Sequence, residues 1–132
     1  MNRLLAVLAL CGGLLLPTIP VAAHHSFEAE YDRNQKVTLK GKVTKIEWQN
    51  PHVYYYVDVP DASGTVVNWA IEVGAPNGLY RAGWRKDSLK IGDQVTVEAF
   101  RAKAGGPHAN GASVILANGK KVFSGQADQT VN

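Results

Sequence analysis

One cysteine, Cys11, is all the thiol the 132-residue chain carries. That excludes both a disulfide scaffold and a paired-thiolate zinc site. No apolar run reaches the ~20 residues that a membrane helix needs; the run from Leu4 to Leu16 is ended by Pro17. A strong charge of either sign is also missing, with 14 basic against 11 acidic side chains. So mild a balance does not give the basic footprint of a nucleic-acid binder. Nor is there a Ser-His-acid set or a phosphate-binding glycine loop, so conventional catalysis has no visible machinery.

The first segment has the form of an export leader. Arg3 gives a short basic start, Leu4 to Leu16 an apolar stretch, and Val21-Ala22-Ala23 the small residues of a cleavage site. Cutting after Ala23 makes His24 the first residue of a 109-residue mature chain. Cutting after Ala22 would put Pro20 at the −3 position, a poorer fit. Cys11 follows Leu10 where a lipoprotein signal wants a small residue, so it is a passenger in the leader. We expect a leader over 1–23, an N-terminal arm over 24–35, one domain over 36–124 and a flexible tail over 125–132. The expected location is the bacterial periplasm or the medium, with no stable membrane anchor after cleavage.

From Lys36 the pattern is strand-like. Val37, Leu39, Gly41 and Val43 alternate with polar residues, and the alternation slips at Lys45 before Ile46 and Trp48. A slip of one residue predicts a bulge or bend in a long first strand, which Asn50-Pro51 ends. Strand two is expected over 52–59 and strand three over 65–73, joined across the breakers of 60–64. Pro76 and Gly83 bracket a short helix, weakened by Gly78. Strand four follows over 94–102. A loop over 103–111 precedes strand five at 112–117, which Asn118-Gly119 turns into a hairpin with 121–123. This order predicts a mainly β fold, a small OB-like five-stranded barrel with a short helix between strands three and four and a C-terminal hairpin. A plain meander or small sandwich is the alternative. Trp48, Trp69 and Trp84 are expected in the core or at its rim.

Histidine carries what chemistry there is. Once His24 is first, its α-amine and imidazole form a chelate ring, and one further imidazole completes a T-shaped set of three nitrogens resembling the histidine brace of exported copper proteins. Such ligands favour Cu(II). His25 offers a competing mode through the amine, one backbone amide and its own ring. His52, fixed behind Pro51 on the face opposite the core set, is the expected third ligand. Tyr54 and Tyr56 share its face, Glu72 lies across from them on strand three, and Asn50 belongs to the turn. These four are candidates to face a ligand or to orient a ligating group. Glu72 is expected to be a solvated acid, since most acids are. His108 falls in the expected loop and is left out of the site. Phe27 and Tyr31 are expected to tie the arm to the barrel.

Seven stretches together resemble a family of small exported bacterial proteins of unknown function. They are His24-His25-Ser26-Phe27, 37–41, Glu47-Trp48-Gln49-Asn50-Pro51-His52-Val53, 68–72, 75–79, 83–89 and 92–97. The resemblance covers nearly the whole mature chain and implies an exported one-domain protein with no assigned activity. Ala75 and Gly78 depart from its pattern, which more often has serine and alanine there, and His108 is not part of it.

Two functional readings stand. In the first, the protein is a periplasmic metal-binding protein, for copper above all, in carriage or buffering and with His24, His52 and His25 as ligands. In the second it is an OB-like binding module, with Tyr54, Tyr56 and Glu72 facing an envelope protein, peptide or glycan and no metal. The first reading depends on the cut. The intact mass of the exported protein is expected to correspond to a chain beginning at His24, and a different first residue removes the chelate.

Overall fold

The computed structural model describes residues 27–124. A helical turn at residues 27–30 leads into six strands and one short helix. They run β1 (Tyr31–Glu47), β2 (Tyr54–Pro60), β3 (Val66–Glu72), α1 (Pro76–Arg81), β4 (Gln94–Ala102), β5 (His108–Leu116) and β6 (Lys121–Ser124). Among these residues no helix is long and apolar enough to cross a membrane.

The sheet order is β3-β2-β1-β4-β5-β6, and a parallel pairing of β3 with β5 closes the first five strands into a ring. This is the expected OB-like barrel, with α1 between β3 and β4 and β6 as the hairpin extension. Closure rests on the length and bend of β1. Its first part pairs with β4, from Tyr31↔Ala102 to Lys42↔Gln94, and its last part with β2, from Lys42↔Asp58 to Glu47↔Tyr54. Lys42 is paired on both sides, so the strand changes partners there. The register slips between Val43 and Lys45, where the hydrophobic alternation changes phase in the sequence.

Gly41 sits beside this handover for a steric reason. A Cβ on it would lie 2.0 Å from the backbone oxygen of Asp58 and 2.9 Å from Val57 Cγ1. Only glycine lets β2 cross so close to β1. The barrel interior is filled by alternate residues of each strand, among them Leu39, Val43, Val53, Tyr55, Val57, Ile71, Val97 and Val114, all buried. Trp84 joins this core, with Trp48 and Trp69 packed partly buried against it.

Most strand ends fall within two residues of expectation, and two strand starts differ by more. β1 begins at Tyr31 rather than Lys36, with an irregularity in its pairing between those residues. β5 begins at His108 rather than Ala112, because Ala70↔His108, Ile71↔Ala109 and Glu72↔Asn110 are ladder pairs with β3. Glycine and proline at 105–107 hide that strand start from a propensity argument. Gly111 belongs inside the strand because a Cβ there would meet Ile71 Cγ2 and the Tyr55 hydroxyl, both at 3.0 Å.

The two glycine environments predict opposite outcomes. Gly41→Ala forces backbone apart and should destabilise the fold by about 1–3 kcal/mol, towards the upper end. Gly78, inside α1 with open space around its Cα, should gain about 0.5–1 kcal/mol on substitution by alanine. Urea unfolding of the two variants checks both signs.

Candidate functional site

Strand pairing lines up one row of side chains across four strands. Tyr54 of β2 is opposite Glu72 of β3, Glu72 opposite Asn110 of β5, and Asn110 opposite Phe100 of β4. Side chains two apart on a strand share a face, so His52 stands beside Tyr54 and His108 beside Asn110. All lie on the face opposite Tyr55 and Ile71, which point into the barrel. Left bare, this face would be solvated. Instead the N-terminal segment covers part of it, and Phe27, Tyr31, Phe100 and Ala102 form a second buried cluster. Phe27 and Tyr31 are only 6% and 2% exposed. Burying an aromatic ring of this size stabilises by roughly 1.5–3 kcal/mol. Phe27 meets Tyr31 and Phe100 with ring centroids 5.5 and 5.8 Å apart, and Arg33 covers the Phe27 ring at 4.5 Å.

Glu72 is the hub of what lies beneath. It is 5% exposed, which overturns the expectation of a solvated acid. Its Oε2 accepts hydrogen bonds from the hydroxyls of Tyr31 and, at 2.8 Å, Tyr54. Its Oε1 lies 2.5 Å from His52 Nδ1. His108 Nε2 lies 3.0 Å from the Tyr31 hydroxyl and 3.9 Å from Oε2. Since the Tyr31 proton goes to Glu72, His108 Nε2–H donates to the phenol oxygen. The His108 ring also packs against Tyr31 edge-on at 5.5 Å and against Tyr54 at 6.2 Å. The partners thus reach the one carboxyl group from the starts of β1, β2 and β5, which satisfies a buried acid that would otherwise be costly.

The phenols register this environment. Burial, then the hydrogen bond and charge of Glu72, push the Tyr31 and Tyr54 hydroxyls well above the ordinary tyrosine range. Tyr55 is pushed up by burial alone, its hydroxyl having no hydrogen-bond partner.

Beside the hub is a cavity of about 230 Å³ lined by Phe27, Glu30, Tyr31, Pro51, His52, Tyr54, Glu72 and Asn110. Asn110 is 5% exposed, and its Oδ1 is buried without a hydrogen-bond partner. The arm and the His52 turn therefore meet at one cavity.

His24 and His25 lie outside the described residues. Of the other candidates, His52, Tyr54 and Glu72 come together, whereas Asn50 is exposed in its turn. Tyr56 leaves the group, because its hydroxyl donates to Glu47 Oε2 at 2.9 Å and Lys45 stands over its ring. His108, Tyr31 and Asn110 were not read as site residues from the sequence. The one signal for them is the alternation of polar His108 and Asn110 about Ala109, seen once β5 is known to start there. Among the described residues, no three His, Cys, Asp or Glu side chains are grouped so as to hold a metal ion.

A model for a family of unknown function (DUF6152) matches residues 13–112, and the chain belongs to that family. No curated protein matches it. Among solved structures it is similar to the crystal structure of mitochondrial single-stranded DNA binding proteins from S. cerevisiae, Rim1. That likeness has 16% identity and a TM-score of 0.48, and covers 63% of this chain and 93% of that one.

The tyrosines predict an alkaline limit to stability. A phenol whose pKa is raised on folding keeps its proton after the unfolded chain has lost it at the ordinary 10.0. Stability should be full below pH ~10 and fall as pH rises beyond it. Glu72→Gln removes the charge, so it should bring Tyr31 and Tyr54 down and leave Tyr55 where it is. Phenolate absorbance followed against pH in both proteins checks the difference.

Proposed function

We propose, for this member of a family without an assigned activity, that the protein is an exported periplasmic copper-binding protein that carries or buffers the metal. The observation that carries the reading is the 2.5 Å contact between His52 Nδ1 and Glu72 Oε1. It engages one ring nitrogen of His52, a residue that lines the cavity. A carboxylate that holds one ring nitrogen and turns the other outward is the usual second shell of a metal-ligating histidine. Glu72 is then the orienting group and His52 the imidazole ligand.

The other nitrogens would come from His24. Phe27 lines the same cavity, and three residues of extended chain span at most ~10 Å. An amine and imidazole at position 24 are therefore within reach of His52, and His25 is the competing ligand. Tyr54 forms the wall, and Asn50 shapes the turn that presents His52. The binding-module reading gains nothing from the geometry, since Glu72 is buried and Tyr56 is engaged with Glu47.

Cu(II) titration of the exported protein at neutral pH, followed by electron paramagnetic resonance, tests the reading. His24→Ala and His52→Ala should each change the spectrum and weaken binding, and Glu72→Gln should cost ~10–100-fold in affinity. Binding should also weaken as pH falls below ~8, where the amine takes up its proton. Unchanged spectra in both histidine variants sink the proposal.

A further inference from the structure

We propose that residues 27–31 form a strap, latched by the Tyr31 hydroxyl on Glu72, that lifts from the barrel as a unit and uncovers the cavity. The barrel is held closed by other contacts. Its core is a cluster of its own, and Phe27, Tyr31, Phe100 and Ala102 form a separate one. A single ladder pair, Tyr31↔Ala102, joins the strap to β4, and continuous pairing starts only at Lys36↔Phe100. Residues 32–35 leave the ladder between those two points.

Those residues have the contacts of a hinge. Arg33, Asn34 and Gln35 are exposed. Asp32 accepts hydrogen bonds from Asn34 N–H at 2.9 Å and from Gln35 Nε2 at 3.0 Å, both within the segment itself. Arg33 turns back to the strap, pairing with Glu28 and covering the Phe27 ring. None of these bonds is made to the barrel.

Few contacts hold the strap down. Phe27 packs edge-on against Phe100 at 5.8 Å. The Glu30 carbonyl accepts from Lys103 N–H at 2.8 Å, and that of Glu28 from Lys103 Nζ. Tyr31 donates to Glu72, and His108 Nε2 lies 3.0 Å from the Tyr31 hydroxyl. Lifting the strap breaks these contacts but returns Glu72 to water, and hydration of the carboxylate offsets part of the loss. The fifteen buried residues of the barrel core stay packed. Opening therefore costs less than unfolding, which is the condition for a local opening. Phe27, Glu30 and Tyr31 form one wall of the cavity, so access to Glu72 passes through this motion. The device goes beyond the copper reading and is the same whatever the cavity holds.

Native-state hydrogen exchange of the exported protein, with EDTA present, reads the motion. The Lys103 amide is held by Glu30 of the strap, whereas the Val53 and Val73 amides are held by Gly74 and Val53 of the barrel. Corrected for local sequence, the Lys103 amide is expected to exchange at least about tenfold faster than those two. Low urea should speed the barrel amides steeply and Lys103 little, because the slope follows the surface exposed in each opening.

Variants separate the two events. Val57 is fully buried in the barrel core. Val57→Ala should speed Val53 and Val73 about tenfold and leave Lys103 unchanged, since the contacts it deletes persist when the strap is open. Tyr31→Phe removes the latch and should speed Lys103 about tenfold or more, the loss expected for one hydrogen bond to a charged group. A Lys103 amide that shares the rate and urea slope of the barrel amides overturns the proposal, as does equal acceleration of all three by Val57→Ala. An unchanged Lys103 rate in the Tyr31→Phe protein overturns the latch. The urea series needs no variant, and a failed copper titration leaves every one of these readouts intact.

Discussion

A single buried carboxyl group organises the face of the barrel that carries the candidate site. Glu72 is removed from water by the N-terminal segment, a cost offset by hydrogen bonds from Tyr31 and Tyr54 and by the close contact with His52. The dependence runs both ways. Tyr31 anchors the segment that buries Glu72, and Glu72 accepts the hydrogen bond that makes burying the Tyr31 hydroxyl tolerable. Low local polarity strengthens these bonds and raises the cost of leaving any of them unmade. The cluster should therefore hold together or come apart as a unit.

The barrel makes that cluster rigid. β3 is held by β2 on one side and, through 70–72, by β5 on the other. Glu72 is thus fixed at the point where the ring closes. His52 is held at the entry to β2, where Val53 N–H bonds to Gly74 at 3.0 Å and Val73 N–H to Val53 at 2.9 Å. His108 is held by its pairing with Ala70. Groups fixed on strands keep their geometry better than groups on loops. A turn histidine, a strand-start histidine and a buried acid are in this way brought to one place from positions far apart in sequence.

The face that carries the site is not the one that a period-two reading expects to be dry. Alternation correctly assigns Tyr55, Val57, Ile71 and Val97 to the barrel interior, because those residues pack against one another across the sheet. The same alternation places Tyr54 and Glu72 outside, which is also correct. What it omits is the second layer. Phe27, Tyr31, Phe100 and Ala102 cover that outer face, and they come from segments whose proximity depends on β1 pairing with β4.

The residue pattern itself determined the strand alternation, the bend at the slip near Lys45, the helix between Pro76 and Gly83, and the turn at Asn118-Gly119. Each follows from local steric preference or from side chains two apart sharing a face, so neighbours in the chain suffice to specify it. His52 was also legible, since Pro51 restrains the backbone just before it. The burial of Glu72, the entry of His108 and Asn110 into its surroundings and the departure of Tyr56 were decided by tertiary structure alone. Those outcomes depend on which strands close the ring and on what covers the outer face. Partners 18, 41 and 77 residues apart meet only after the whole chain has packed.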